Sequence, residues 1–241
     1  MTGKMFPFIT ETWNPVAGEC PYDCSYCWAK SLIKRYNFVK YTGPARLDEK
    51  TLKKIPTKGF VFVDDMSDIS ILDSDSTRLL MNEIRYRKLA DFLTLTKNPV
   101  WYLNMINPGS VDFPSNIVFG ATIETNKDIP QSKAPSPKTR FWGLKQIKEY
   151  YPQNKTFISI EPIMDFGMDE MVRSILEVKP WAVAVGYDNY NNGLPEPTII
   201  KTNALIKCLE SYGITVYRKT IRDQNRESLL QMEARIKEEQ S

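Results

Sequence analysis

Short apolar runs alternate with amphipathic helical patterns along most of the chain. Strands are predicted at 59–65, 90–96, 116–124, 156–162, 181–187 and 213–219, with a first strand expected within 7–14. Successive starts from 59 onward lie 25 to 40 residues apart, which is about one strand–helix unit each. Most runs are continuous rather than alternating, which is typical of parallel strands that are buried on both faces.

Amphipathic patterns of helical period predict helices at 75–89, 137–150, 168–178 and 198–211. The charged segment at about 225–240 predicts a C-terminal helix. No linker or low-complexity segment divides the sequence, so we expect a single domain over 1–241. About seven strands that alternate with helices predict the α/β class and a partial (βα)6-type TIM barrel. In such a barrel the chemistry gathers at the carboxyl ends of the strands.

The composition narrows the possible functions. The 241 residues carry a formal net charge of +3, from 32 basic and 29 acidic side chains, a surplus too weak to require or exclude nucleic acid. No apolar run is long enough to cross a bilayer, and the N-terminus lacks a signal-peptide pattern, so we expect no membrane association and a cytoplasmic location. The absence of histidine excludes a Ser-His-Asp triad, a histidine-ligated zinc and an imidazole base.

Three of the four cysteines are clustered. Cys20, Cys24 and Cys27 form a C-x3-C-x2-C motif in a predicted loop at 14–30, whereas Cys208 lies far downstream. Such clustering in an intracellular chain favours metal binding over disulfides. Three thiolates leave one iron of a cubane open to an outside ligand, whereas a ferredoxin uses four. A zinc site that adds Cys208 is the alternative, although Cys208 falls on the apolar stripe of the helix predicted at 198–211.

Polar residues follow nearly every predicted strand. Glu124 and Glu161 each end an apolar run directly, and a buried carboxylate needs a cation or hydrogen-bond donors to offset its desolvation. Further polar residues at strand ends include Ser67, Asp68, Lys97, Thr122 and Tyr187. Because the carboxyl ends of parallel strands meet at one edge of the sheet, these side chains are expected to form one site.

The cysteine motif, with Tyr26 directly before its third cysteine, resembles that of the radical S-adenosylmethionine (radical SAM) superfamily. The resemblance implies a [4Fe-4S] cluster bound by Cys20, Cys24 and Cys27, with S-adenosyl-L-methionine (SAM) on the open iron. It implies reductive cleavage of SAM to a 5′-deoxyadenosyl radical, which abstracts hydrogen from a substrate. It also implies a low-potential electron donor of flavodoxin or ferredoxin type.

The same resemblance implies a set of SAM-binding residues. They are Ser67 or Asp68 for the methionine ammonium; Thr122, Glu124 and Glu161 for the ribose; and the backbone around Tyr26 and Trp28 for the adenine. The Gly-Gly-Glu usual in the family after strand two is replaced here by Asp-Asp-Met-Ser-Asp. The expected catalytic residues are Lys97, Glu161 and Tyr187, with Tyr187 or Tyr190 as the hydrogen donor to a product radical.

A closer resemblance rests on the ordered segments TWNPVAGE–C, VFVDDMSD, TLTKNP, VFGATIETN, ISIEP and AVGYDN. Together they resemble a phage- and prokaryote-associated branch of radical SAM proteins that is distantly similar to spore photoproduct lyase. The lysines of 125–138 and the tyrosines of 187–197 favour a nucleic acid or a nucleotide as the substrate. Two alternatives remain open: a glycyl-radical activase that acts on a partner protein, and a non-catalytic iron–sulfur or zinc protein.

Overall fold

Seven parallel strands form one curled sheet, a half-barrel, in the computed structural model, which describes residues 5–222. In sheet order the strands are β1 (Glu11–Trp13), β4 (Lys58–Val63), β5 (Leu89–Thr96), β6 (Ile117–Thr122), β7 (Thr156–Ile160), β8 (Ala182–Val185) and β9 (Thr215–Arg218). Every neighbouring pair is parallel. A separate antiparallel pair joins β2 (Val16–Ala17) to β3 (Arg46–Leu47).

Within the described residues, seven α-helices accompany the sheet, and in chain order the third to the seventh of them pack against its outer face. They are α1 (Trp28–Tyr36), α2 (Glu49–Leu52), α3 (Ser74–Arg85), α4 (Val100–Ile106), α5 (Pro137–Tyr150), α6 (Met168–Val178) and α7 (Ile199–Ser211). Side chains cap several of them: Asp73 caps α3, Ser136 caps α5 and Thr198 caps α7, each accepting a backbone N–H of the first turn.

The predicted α/β class and partial barrel are confirmed, and each predicted strand overlaps an observed one. The helices predicted at 137–150 and 168–178 have the observed bounds. The sequence pattern did not predict α1, α2, α4 or the β2–β3 pair. These elements are short, and short segments show little periodicity. The helix expected at about 225–240 lies outside the described residues.

Two apolar cores lie on opposite faces of the sheet. The larger one fills the space between the sheet and the outer helices. The smaller one lies inside the half-barrel, where Phe6 and Phe8 of the N-terminal segment insert. Phe8 lies 4.9 Å from the ring centre of Phe60 on β4 and 4.8 Å from that of Tyr217 on β9. The N-terminal aromatic residues therefore join β4 to β9, the last strand of a sheet whose described strands do not close by hydrogen bonding.

The carboxyl edge of the sheet carries three long connections: 14–27 after β1, 123–136 after β6 and 186–198 after β8. The first of these contains Cys20, Cys24 and Cys27 and is called the cluster loop below. It ends slightly earlier than the predicted 14–30, because Trp28 begins α1. Among the described residues, no helix is long and apolar enough to cross a membrane.

Candidate active site

The three clustered cysteines are free thiols in one packed environment. Cys24 is buried, and Cys20 and Cys27 are half-buried. Together they pack against Tyr22, Tyr26, Ile129 and Met164. The last two residues come from the connections after β6 and β7, so the cluster loop folds inward over the carboxyl edge of the sheet.

Specific contacts hold this loop in place. The Sγ of Cys24 lies 3.1 Å from the hydroxyl of Ser132, and the backbone N–H of Ser25 donates to the carbonyl of Gln131 at 2.9 Å. The Sγ of Cys27 caps α1 by accepting the N–H of Lys30 at 3.4 Å. This contact fixes the Cys27 side chain at the N-terminus of α1.

The charges around Cys20 show that the thiols are near one another. Burial raises the pKa of Cys20 to about 12, and the charges of Asp68, Cys24 and Cys27 add to this effect. A thiol whose ionisation is opposed by burial and by nearby negative charges is suited to a bound cation, which reverses the local balance of charge. The chemistry of the three cysteines therefore fits a group that accepts several thiolates at once.

Within residues 5–222, no group of three or more histidine, cysteine, aspartate or glutamate side chains is placed to hold a metal ion. An iron–sulfur cubane makes a different demand, because each thiolate binds a different iron. Three free cysteines on one loop, with a neighbouring hydroxyl and a helix N-terminus, have the donor chemistry that such a cluster uses.

Glu124 is the centre of a buried polar network behind the cluster loop. Its side chain is fully buried just beyond β6. It accepts hydrogen bonds from the hydroxyl of Tyr26 at 2.7 Å and from Nη1 of Arg140 at 2.7 Å, and it forms an ion pair with Lys97. Lys97 also donates to the hydroxyl of Tyr26 at 3.1 Å. The network thus connects the cluster loop to β6 and α5, and to Lys97 at the end of β5.

The electrostatics keep Glu124 ionised. Burial would raise the pKa of Glu124, but the charges of Lys97 and Arg140, with hydrogen bonds from Lys97 and Tyr26, lower that pKa to about 2. Burial and the nearby Glu124 carboxylate raise the pKa of Tyr26, so its hydroxyl stays protonated and donates. Hydrogen bonds from Tyr26, Lys97 and Arg140 occupy the carboxylate of Glu124. Of the Lys97 side chain, 18% is exposed to solvent.

Asp68 ties the end of β4 to the end of β5. One carboxylate oxygen accepts the hydroxyl of Thr96 at 2.6 Å and the hydroxyl of Ser70 at 2.7 Å, and the other accepts the N–H of Lys97 at 2.9 Å. The hydroxyl of Ser70 lies 2.5 Å from that of Tyr22 in the cluster loop. The predicted residues at these two strand ends therefore meet the cluster loop.

Two buried oxygens near this edge have no hydrogen-bond partner among the described residues: Oγ of Ser67 and Oδ2 of Asp64. Burial raises the pKa of Asp64 well above its usual range, although its other oxygen accepts the N–H of Val16 at 3.0 Å. Buried polar atoms without partners are uncommon and call for an explanation, such as a bound group. A polar ligand such as a methionine ammonium could satisfy atoms of this kind.

Glu161 and Tyr187 lie at the next two strand ends. Glu161 accepts a hydrogen bond from Nζ of Lys219 at 2.5 Å. This ion pair lies close to Gly186, because a Cβ at that position would come within 3.0 Å of the Lys219 side chain and 3.2 Å of the Glu161 side chain. Tyr187 is buried, and its hydroxyl donates to the carbonyl of Pro197 at 3.0 Å and lies 2.7 Å from that of Thr202. Thr122 ends β6, and its carbonyl accepts Arg140 at 3.0 Å.

Sequence reasoning missed Arg140 as the partner of the buried Glu124 and Lys219 as the partner of the half-buried Glu161. Arg140 had a detectable signal, because a charged residue three positions after Pro137 and four before Leu144 falls on the buried face of α5. The lysines of 125–138 were expected to be available for contacts with nucleic-acid phosphates, but two of them form ion pairs with carboxylates of this chain. Lys127 pairs with Asp165 and Lys133 pairs with Asp23, whereas Tyr190 is 62% exposed.

The fold is similar to that of several solved structures. A cysteine-to-serine mutant of spore photoproduct lyase matches 91% of this chain and 81% of its own, at 11% identity and a TM-score of 0.62. Another mutant of that lyase, with bound AdoMet and dinucleoside spore photoproduct, matches over 88% and 62% at 12% identity and a TM-score of 0.52. Streptococcus suis SuiB bound to S-adenosylmethionine matches over 88% and 51% at 11% identity and a TM-score of 0.54.

These similar proteins are radical SAM enzymes, so the expected distant relationship is confirmed at the level of the fold. The chain spans less than two thirds of the length of SuiB and of the lyase chain with bound AdoMet. No curated protein sequence matches it. The family model described as "Protein of unknown function (DUF5131)" matches residues 5–186, which include the cluster loop, Glu124 and Glu161. That match covers well over half of the sequence, and the chain belongs to the DUF5131 family.

Proposed function

We propose that the chain is a radical SAM enzyme. The observation that carries the proposal is the group of three free cysteines on one loop at the carboxyl edge of a half-barrel with the radical SAM fold. Cys20, Cys24 and Cys27 would hold a [4Fe-4S] cluster, with SAM as the second cofactor. When bound and reduced, this pair supplies a 5′-deoxyadenosyl radical that abstracts hydrogen from a substrate.

The chain's own residues have separate tasks in this proposal. The unpartnered oxygens of Ser67 and Asp64, with Asp68 beside them, would receive the methionine ammonium. The backbone around Tyr26 and Trp28 would contact the adenine, and Thr122 and Glu161 the ribose. All of these residues lie at or beside the carboxyl edge of the sheet.

Glu124 has a positioning role in this proposal. Its carboxylate oxygens already accept hydrogen bonds from Tyr26, Lys97 and Arg140. Glu124 therefore holds the side chains of Tyr26 and Lys97 in position. Lys97 is the partly exposed member of the network and presents a fixed positive charge at the end of β5. Lys97 and Glu161 are the proposed catalytic residues. The expected catalytic role of Tyr187 stays a prediction.

We infer a nucleic acid or a nucleotide as the substrate class. Support comes from the dinucleoside bound in the similar lyase and from the exposed ring of Tyr190 on the connection after β8. A peptide is the second candidate, because SuiB has been solved with its precursor peptide SuiA. The ion pairs of Lys127 and Lys133 weigh against strong phosphate contacts from the connection after β6.

The zinc alternative requires Cys208 as a fourth ligand. Cys208 lies on α7 and packs against the main core, whereas the other three cysteines belong to a different packing cluster. This placement supports the core position predicted from its helical stripe. It also makes Cys208→Ala a matched control for the cluster ligands.

The test is an anaerobic assay of SAM cleavage. The chain is reconstituted with iron and sulfide, reduced with dithionite and given SAM, and 5′-deoxyadenosine is measured by chromatography. We expect formation in the native chain and in Cys208→Ala, and loss in Cys24→Ala. No product from a chain that contains four irons, or one zinc per chain and no iron, would overturn the proposal.

A further inference from the structure

One surface segment concentrates positive charge. Residues 28–46 carry five basic side chains and no acidic one: Lys30, Lys34, Arg35, Lys40 and Arg46. Their net charge is +5 while the whole chain has +3, which leaves −2 for all other residues. We call the exposed side chains of this segment the α1 surface. The net positive charge of the sequence is therefore concentrated in this segment.

Much of this charge is not neutralised locally. Lys30 pairs with Asp23, and Lys40 lies 3.5 Å from Asp48. Within the described part of the chain, Lys34, Arg35 and Arg46 form no ion pair; Arg46 donates only to backbone carbonyls. Charges without local partners on an exposed surface are available to a binding partner.

Exposed apolar side chains lie among these cations. Tyr36, Phe38 and Val39 are 56%, 41% and 66% exposed. The rings of Tyr36 and Phe38 are stacked at 5.7 Å, and the guanidinium of Arg35 lies 5.4 Å from the ring centre of Tyr36. An apolar, aromatic centre with a polar rim is the usual arrangement of a protein docking interface.

The α1 surface touches the cluster loop at both of its ends. Helix α1 is capped at its N-terminus by Cys27 of the cluster loop. The far end of the α1 surface returns to the residues just before Cys20, where the N–H groups of Gly18 and Glu19 donate to the carbonyls of Lys40 and Gly43, both at 3.0 Å. Gly18 has φ +110°, and a Cβ there would come within 2.6 Å of the carbonyl oxygen of Pro44. The backbone approach therefore depends on glycine.

The cluster loop thus has two different sides. On one side, Cys24 and Ser25 contact residues 131–132 of the connection after β6, which frames the barrel mouth. On the other side, Gly18 and Glu19 contact the α1 surface. A substrate must reach the mouth, whereas an electron need only reach the cluster. The α1 surface is placed for the second task.

We propose that the α1 surface is the docking site of a small acidic redox protein that reduces the cluster. This inference rests on the proposed function. The partner is of flavodoxin type, and its reduced flavin loses one electron while the cluster gains one; no covalent bond forms or breaks. Complementary charge steers such encounters and speeds their association. A second copy of this chain is a poor occupant because the cations Lys34, Arg35 and Arg46 on two such surfaces repel each other.

The experiment compares two double charge reversals on the reconstituted chain. Lys34→Glu/Arg35→Glu reverses the α1 surface. The matched control Lys58→Glu/Lys88→Glu makes the same charge change at the amino ends of β4 and β5, the opposite edge of the sheet. Binding of an acidic flavodoxin is measured by calorimetry at low and high ionic strength. We expect the first variant to bind about tenfold more weakly, the control to bind like the native chain, and salt to weaken native binding.

A second readout separates this inference from the proposed function. Flavodoxin-driven formation of 5′-deoxyadenosine should fall in Lys34→Glu/Arg35→Glu, while formation driven by dithionite, which needs no docking, should stay unchanged. Equal flavodoxin binding by both variants would overturn the docking site and leave the enzyme assignment intact. Loss of binding to a single-stranded oligonucleotide instead of flavodoxin would assign the surface to nucleic acid. A native dimer that the reversal makes monomeric would assign it to a second copy.

Discussion

Two carboxylates of this protein have similar electrostatics and opposite surroundings. Glu124 faces Lys97 and Arg140, and Asp165 faces Lys127 and Lys201. Hydrogen bonds from its two lysines lower the pKa of Asp165 to about 2, the value that the pKa of Glu124 also reaches. Glu124, however, is fully buried, while 39% of the Asp165 side chain is exposed.

The difference shows that a lowered pKa does not measure what an ion pair contributes to stability. Water solvates the partners of Asp165 whether or not the pair forms, so the net gain is small. Arg140 is 1% exposed and has no such alternative, so its charge depends on Glu124. The following predictions test this contrast, from the largest expected effect to the smallest.

Substitution of Glu124 should have the largest effect. Glu124→Gln keeps the shape of the side chain but leaves Arg140 buried without a counter-charge. We expect the free energy of unfolding to fall by about 3–5 kcal/mol, measured by urea denaturation. Cleavage of SAM should also fall in the folded variant, because Tyr26 and Lys97 lose the group that positions them. A loss below about 1 kcal/mol would show that the network is solvated.

The contribution of Glu124 should also depend on pH in a defined window. Its pKa is about 2 in the folded chain and 4.5 ordinarily, so the folded state favours the carboxylate. The stabilisation is complete above pH 4.5 and is lost as the pH falls from 4.5 towards 2. The stability difference between the native chain and Glu124→Gln should therefore shrink by about 3 kcal/mol across that window. A difference that stays constant with pH would contradict this.

Substitution of Asp165 should have the smallest effect, although it has the same number of cationic partners. Asp165→Asn is expected to change the free energy of unfolding by less than about 1 kcal/mol. High salt should remove most of that change because the pair is exposed to solvent. A salt-independent loss as large as that of Glu124→Gln would show that burial does not decide between the two sites.

Much of the fold was predictable because each parallel strand buried on both faces is encoded by one apolar run. The run at 116–124, for example, corresponds to β6, all of whose residues are buried. The clustering of the cysteines and the position of Glu124 at a strand end were predictable because closely spaced cysteines and charged residues that end apolar runs stand out locally. The roles of Phe6 and Phe8 were not predictable, because nothing in a short N-terminal segment shows that it fills the inside of a half-barrel.

The sequence by itself determined the order of strands and helices, the motif of three cysteines and the presence of carboxylates at strand ends. The tertiary structure decided which charges meet. Glu124 and Arg140 are 16 residues apart, and Glu161 and Lys219 are 58 apart. The tertiary structure also placed the basic segment 28–46 against the outer side of the cluster loop. The reason is physical: periodicity acts over a few residues, whereas charge pairing and burial depend on distances through space that only the folded chain sets.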